Sequence, residues 1–423
     1  MDPLSKLLNL PASEKLSRGV SYTAKEIAQQ PFTWTGTFQR LNPMLREVRE
    51  FLANSGIRAS PGEEPLVFLV GAGTSDYIGR SLHHLLRTQW ECEVIPVASP
   101  DLLTDFSTYV LPGRRYLWIS FSRSGDSPEG VAVLERALAE CPNVRHLIVT
   151  CNAAGRLMSL IDGRRDCLGI ALDETTNDRG LAMTSSFTNM VVAGHVLAHA
   201  WNVAEYEPIC LDLARAAESL LPSAASLAAE LVAKWHSRAC FVGSGVLAGA
   251  AMESALKLLE LTAGGVQTFS QSTLALRHGP MAALDPDTLF VSLLSSHTRL
   301  RNYELDLLQE IGKKSLARTR VALAAGGLDT LDSVADYLLA PDKDYAIPDL
   351  YRPVLDVIFG QVLGLFASLH LGLKPDSPSP NGATESYKMW RSTDRNSKSG
   401  IPGPYWNEKG FDRSHDLVHM QRR

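Results

Sequence analysis

The sequence predicts an α/β chain made of two doubly wound parallel sheets in tandem, with a helical N-terminal extension. Three observations predict it. From Leu66 onward, short apolar runs alternate with stretches whose apolar residues recur at helical spacing. Two of those runs close in glycine turns, Gly71-Ala72-Gly73 and Gly243-Ser244-Gly245, 172 residues apart. The second half then repeats the first: Leu289 to Ser296 echoes Tyr116 to Arg123, which sets Ser295 173 residues after Ser122.

Taken in order, residues 1–54 mix apolar and charged residues as helices do, and Pro31 is expected to stop the helix Ser21 to Gln30. Phe32, Trp34 and Phe38 are expected to anchor this extension on a later domain. Ser60 to Pro65 is a linker by composition. Leu66–Val70, Val94–Ala98, Tyr116–Phe121 and Leu147–Cys151 are the strands expected of the first sheet. Cys240–Gly243, Leu289–Ser296 and a run from Val321 to Gly327 are their counterparts, after a helical stretch from about Asn189 to Trp235. The expected boundaries are 1–54 for the extension, 55–210 and 211–375 for the two sheet domains, and 376–423 for a tail. From Lys388 that tail, with Trp390, Pro402, Pro404 and Trp406, reads as irregular.

Composition narrows the function. A length of 423 residues holds two or three domains, and 45% hydrophobic with 21% charged residues is ordinary for a globular protein. A net charge of -5 without a long basic cluster argues against a nucleic-acid partner. The six cysteines are scattered without a C-x-x-C pair, which suits a reducing cytoplasm and gives no zinc framework. Met1 to Pro11 is too short in apolar residues for a signal peptide. Met190 to Trp201 is the most apolar stretch, interrupted by His195 and His199, so no membrane contact is expected.

The chemistry gathers at strand ends. Ser122-Arg123-Ser124-Gly125-Asp126-Ser127 lies between an apolar strand and a helix opened by Pro128. Free backbone N–H groups and the positive helix end favour an anion there, and hydroxyls add neutral donors. An ordinary serine-rich turn has the same composition, and the loop alone leaves both readings open. Gly71-Ala72-Gly73 starts like a dinucleotide fingerprint, but Asp76 stands where the third glycine belongs, which argues against that cofactor. Thr74 and Ser75 instead add hydroxyls beside the first set. In the second half Val246 and Leu247 replace them.

On the helix Ala250 to Thr262, Glu253, Lys257 and Glu260 share one face, amid leucines. A surface salt-bridge ladder has this spacing too; the apolar rest of the helix and its place after a glycine turn favour a buried set. His278 follows in a turn, where a lone histidine is ordinarily surface. His195 and His199 are spaced for one helix face, but without an accompanying Glu they read as packing residues rather than metal ligands. Ser185 and Ser186 are expected to cap the following helix, with Thr184 facing a ligand.

These residues together resemble the tandem sugar-isomerase (SIS) proteins. The resemblance is to the isomerase half of glucosamine-6-phosphate synthase and, more closely, to the AgaS group of galactosamine-6-phosphate deaminase/isomerases. It rests on Gly71 to Ser75, Ser122 to Ser127, Ala182 to Thr188, Glu253 to Glu260, Arg277 to Pro280 and Pro375 to Pro378. Tyr22 to Pro31 points to AgaS in particular.

By that resemblance Ser75, Ser122, Ser124 and Ser127 bind the sugar phosphate, Arg123 lines the loop and Thr74 lies near the sugar. Glu260 moves a proton between C1 and C2, His278 opens the ring from a second subunit, and Lys257 and Glu253 support them. No metal or redox cofactor is implied. Aldose–ketose interconversion needs a base poised near neutral pH, and a carboxylate in an apolar helix environment has its pKa raised toward that range. A neighbouring Lys stabilises the enolamine charge. The chain begins Met1-Asp2-Pro3, without a catalytic N-terminal Cys or glutaminase domain, which favours breakdown of the amino sugar over its synthesis. The expected reaction is galactosamine 6-phosphate to tagatose 6-phosphate plus ammonia. The alternatives are a neutral ketose/aldose 6-phosphate isomerase and a phosphosugar sensor; the first 54 residues lack the basic helix-turn-helix that a sensor of DNA would carry. A homodimer or larger assembly follows from a His278 given across subunits.

Overall fold

The computed structural model describes residues 1–60, 62–326 and 334–379. The tail from Lys388, and Gly327 at the end of the expected Val321 strand, lie outside the described residues.

Two five-stranded sheets carry the chain, both wholly parallel. The first holds β1 (Leu66–Gly71), β2 (Val94–Ala98), β3 (Tyr116–Ser122), β4 (Val144–Thr150) and β5 (Cys167–Ala171) in the order β2-β1-β3-β4-β5. The second holds β6 (Arg238–Gly243), β7 (Gln267–Ser272), β8 (Thr288–Leu293), β9 (Thr319–Leu323) and β10 (Tyr337–Leu339) in the order β10-β9-β8-β6-β7. Each sheet therefore has the same winding, and its strand order reverses beside the first strand, where α/β sheets bind ligands. β1, β3, β6 and β8 are almost entirely apolar because helices cover both their faces.

The register corrects the repeat by one residue. Leu66 pairs with Tyr116 and Arg238 with Thr288, so both strands of the second sheet lie 172 residues beyond their counterparts. Ser295 accordingly matches Arg123, and Leu294 matches Ser122. Gly71 and Gly243 mark the same bend: a Cβ on either would overlap the backbone four residues on, at Ser75 and Leu247.

Pro31 does not end the extension's helical run. It ends one helix, Thr23–Ala28, and sits in the first turn of the next, Gln30–Leu41, where its missing N–H costs nothing. Trp34 and Phe38 anchor that helix, Trp34 through Nε1–H to Thr188 Oγ1 at 2.9 Å, but Phe32 is 77% exposed. It lies on the outer side of the helix. Gln30 Nε2 donates to Gln361 Oε1 at 2.7 Å, so the extension also touches the last helix, Pro353–His370.

Among the described residues that helix, and not Met190 to Trp201, is the one long and apolar enough to cross a membrane, with mean hydropathy 1.5 over 18 residues, yet 83% of it is buried in the fold. It is a core helix, packed on the Leu247–Leu261 helix through Gly360, where a Cβ would come within 2.5 Å of Ser254 Cβ. On its other flank, the Leu247–Leu261 helix meets the Thr74–Trp90 helix, Gly249 lying over Ser81. His195 and His199 pack edge-on or stacked among Tyr206 and Tyr351, with His195 Nδ1 3.0 Å from Tyr206 OH and His199 Nε2 2.7 Å from Tyr351 OH. Burial pushes both imidazoles down, His195 to about 3, so they are neutral packing groups.

Gly360→Ala tests the closeness of the two helices. Its methyl must displace backbone rather than a flexible side-chain end, so we expect a loss of roughly 1–3 kcal/mol, read as a lower thermal midpoint.

Candidate active site

The Leu247–Leu261 helix places Glu253, Lys257 and Glu260 along the face that meets the start of the Thr74–Trp90 helix. Lys257 is wholly buried. Its Nζ donates to Glu260 Oε2 at 2.6 Å and to Thr74 Oγ1 at 3.0 Å, and lies 3.3 Å from Glu253 Oε1. Thr74 Oγ1 also lies 3.3 Å from Glu253 Oε1. One ammonium thus serves two carboxylates and links the two sheets. A charge so buried is stable only with such partners.

The environments of the carboxylates differ. Glu253 is fully buried, whereas Glu260 keeps 30% of its side chain exposed. Burial pushes the Glu253 carboxyl up, Lys257 pulls it down, and the Glu260 charge pushes it up again, to about 8. For Lys257 burial alone lowers the ammonium, but the two carboxylates outweigh it and raise it. The ammonium makes its shorter contact with Glu260, and burial favours the protonated form of Glu253.

The serine loop follows β3. Gly125, at φ +69°, turns the chain, with its N–H on Ser122 Oγ at 3.1 Å, and the Asp126 N–H meets Ser124 Oγ at 3.2 Å. Ser127 precedes the Pro128–Glu140 helix, with Pro128 in the first turn and no side-chain cap bond from the serine. Because β1 and β3 are adjacent, Ser75 at the end of one and Ser122 at the end of the other belong to neighbouring turns. Ser122, Ser75 and Thr74 are buried; Ser124 and Ser127 are half-buried.

Arg123 reaches from the serine loop to a neighbouring segment. Its Nη1 donates to the carbonyls of Gly180 and Leu181, both at 3.1 Å, and so ties the serine loop to residues 178–184. Two carboxylates hold that segment, and a third holds the stretch before Glu26. Asp178 accepts from Thr184 N at 2.7 Å, Ser186 N at 2.8 Å and Ser186 Oγ at 2.5 Å. Glu26 of the extension accepts from Arg179 N at 2.7 Å and Gly180 N at 3.3 Å. Asp376 gathers the N–H groups of Ser21, Tyr22 and Thr23 at 2.7–3.2 Å.

The expected cap by Ser185 and Ser186 is therefore wrong: Asp178 caps the Ser185–Ala198 helix, because a carboxylate accepts several N–H groups where a hydroxyl accepts one or two. Thr184 is wholly buried, its Oγ1 3.5 Å from Asp178 Oδ1. Glu26 and Asp178 carried no signal of periodicity or motif spacing.

His278 is exposed on the short 3-10 turns after β7 and takes no part in the Lys257 network; its neighbour Arg277 is fixed to Glu310 at 2.7 Å. A cleft of about 890 Å³ lies at the other end of the first sheet, among Arg87, Glu91, Glu93 and Arg114, away from these groups.

No family model matches the chain. The D-galactosamine-6-phosphate deaminase AgaS of Escherichia coli O157:H7 is 33% identical over 377 residues, spanning 86% of this chain and 92% of its own. The chain belongs to the AgaS family. Tagatose-6-phosphate ketose/aldose isomerase from Escherichia coli superposes at TM-score 0.76 with 33% identity, over 85% of this chain and 95% of that one. A more distant relative, the glutamine--fructose-6-phosphate aminotransferase of Pyrobaculum aerophilum, is 26% identical over 89% of this chain and 60% of its own length. The two sheets are the tandem SIS modules of an AgaS-family chain.

Burial and the Asp178 charge push the Glu26 carboxyl up to about 7. The native state thus holds a proton that the unfolded chain releases, and stability is lost as pH rises from the ordinary carboxylate range through about 7. We expect Glu26→Gln to flatten the fall in thermal midpoint between pH 5 and 8, by on the order of 2 kcal/mol of pH-dependent stability. Asp178, also raised by burial, leaves a residual slope.

Proposed function

We propose that this chain is a galactosamine-6-phosphate deaminase/isomerase, working in the cytoplasm as a homo-oligomer on a phosphorylated amino sugar. The observation that carries the reading is Lys257, buried between Glu253 and Glu260 and bonded to Thr74, next to the first module's hydroxyl turns. That arrangement supports reading the helix as an acid–base element and the hydroxyl turns as an anion cradle. The name of the 33% identical Escherichia coli relative supports the substrate, and six free thiols suit a reducing compartment.

In this reading Ser75, Ser122, Ser124 and Ser127 hold the phosphate and orient the sugar from a distance. Glu260, the carboxylate open to the site, takes the C2 proton and returns one to C1. Lys257 stabilises the negative charge that develops on the enolamine, and Glu253 fixes Lys257. The ketimine that results takes up water at C2 and loses ammonia, leaving tagatose 6-phosphate. His278 of a second copy opens the ring. Arg123 and Thr184 shape the wall through the 178–184 segment.

Ammonia release from galactosamine 6-phosphate, with glucosamine 6-phosphate in parallel, tests this directly; release from the galacto sugar is the expected result. Glu260→Gln should lower kcat by about 10²–10⁴-fold and leave phosphosugar binding in place. The name of the solved Escherichia coli isomerase favours a second reading, interconversion of neutral ketose and aldose 6-phosphates. Turnover of tagatose 6-phosphate without ammonia from either amino sugar would establish that reading instead.

A further inference from the structure

β6 and β8 end, like β1 and β3, in turns that offer hydroxyls and N–H groups: Ser244 after β6, Ser295 and Ser296 after β8. In the second module these donors are already taken by carboxylates of the chain itself. Glu304, wholly buried on the Thr298–Lys313 helix, accepts from Ser244 Oγ at 2.7 Å and from Ser295 N at 2.7 Å, one bond to each oxygen. Thr273 Oγ1 lies 3.0 Å from Ser244 Oγ. Beside it Asp349 accepts from Ser296 N at 2.8 Å, from Ser296 Oγ at 2.7 Å and from Ser295 Oγ. Arg352, fully buried, binds Asp349 at 3.1 Å and Asp356 at 2.7 Å.

The equivalent helix of the first module, Pro128–Glu140, buries only Val131, Val133, Leu134 and Ala137. Burying a carboxylate is unfavourable unless its oxygens meet donors, so an apolar residue would serve packing better at Glu304. Its presence answers the donors of the two turns. To an N–H and an O–H, a carboxylate and a phosphate offer the same thing: several acceptor oxygens with negative charge.

We propose that the second module is an anion site of the phosphate type, closed by the chain's own Glu304 and Asp349. Removing both carboxylates opens a second site for inorganic phosphate or a phosphomonoester. The inference rests on the reading of the first module for the likeness of the two pairs of turns.

The test is equilibrium dialysis of the full chain against radiolabelled inorganic phosphate. The parent should bind one phosphate per chain, and Ser122→Ala/Ser124→Ala none. Adding Glu304→Ala and Asp349→Ala to that silenced chain should restore one. A folded variant with all four changes that binds no phosphate overturns the proposal. If the two changes weaken the fold, phosphate at matched ionic strength should raise the thermal midpoint of that silenced variant more than chloride does, and equal midpoints also overturn it. A parent without bound phosphate would sink the first-module reading, while the gain on removing the two carboxylates is still read separately.

Discussion

The ammonium of Lys257 is the interaction on which the candidate site depends. It comes from the second module, sits wholly inside the protein, and closes on Thr74 of the first. Without it two carboxylates would face each other in an apolar interior, and the charge repulsion would fall on the contact between modules. The glycines on either side of its helix serve the same end. Gly249 and Gly360 let the neighbouring helices approach until Lys257 has no access to water, and the pairing of charges inside is correspondingly strong.

The repeat explains how one chain came to hold both a set of hydroxyl turns and a charged helix face. Two copies with the same winding offer equivalent turns, but each has kept a different half of the candidate site. The first has Thr74 and Ser75 where the second has Val246 and Leu247. The second has Glu253, Lys257 and Glu260 on a helix whose counterpart in the first, Thr74–Trp90, is committed to packing through Ile78, Leu82 and Leu85. Neither copy alone brings the hydroxyls to the charges.

Much of this was legible in the sequence, and the failures have physical causes. Central strands such as Leu66–Gly71 and Tyr116–Ser122 are continuous apolar runs and announce themselves. β5, β7 and β10 are edges: Gln267–Ser272 is mostly polar and Tyr337–Leu339 only three residues long, so neither has the pattern of a buried strand. Glu253, Lys257 and Glu260 were found because spacing on a helix is a property of the sequence. Glu26, Asp178 and Glu304 were missed because each is held in part by backbone N–H groups, which almost every residue carries and no pattern marks. The one-residue error at Ser295 arose likewise, since similar letters at a strand end do not fix a register that pairing decides.

The three N–H groups of Ser21, Tyr22 and Thr23 bind an aspartate more than 350 residues further on. That closure has a consequence for the order in which the protein is made. The first sheet emerges from the ribosome early and has all its strands by residue 171. Yet the segment beside its serine loop is held by Glu26, whose own helix is fastened only once Asp376 has been synthesised. A nascent chain therefore passes through a long interval with an assembled first sheet and an unfastened 178–184 segment. The candidate site is completed late, when the Pro353–His370 helix docks and the two ends of the described fold meet.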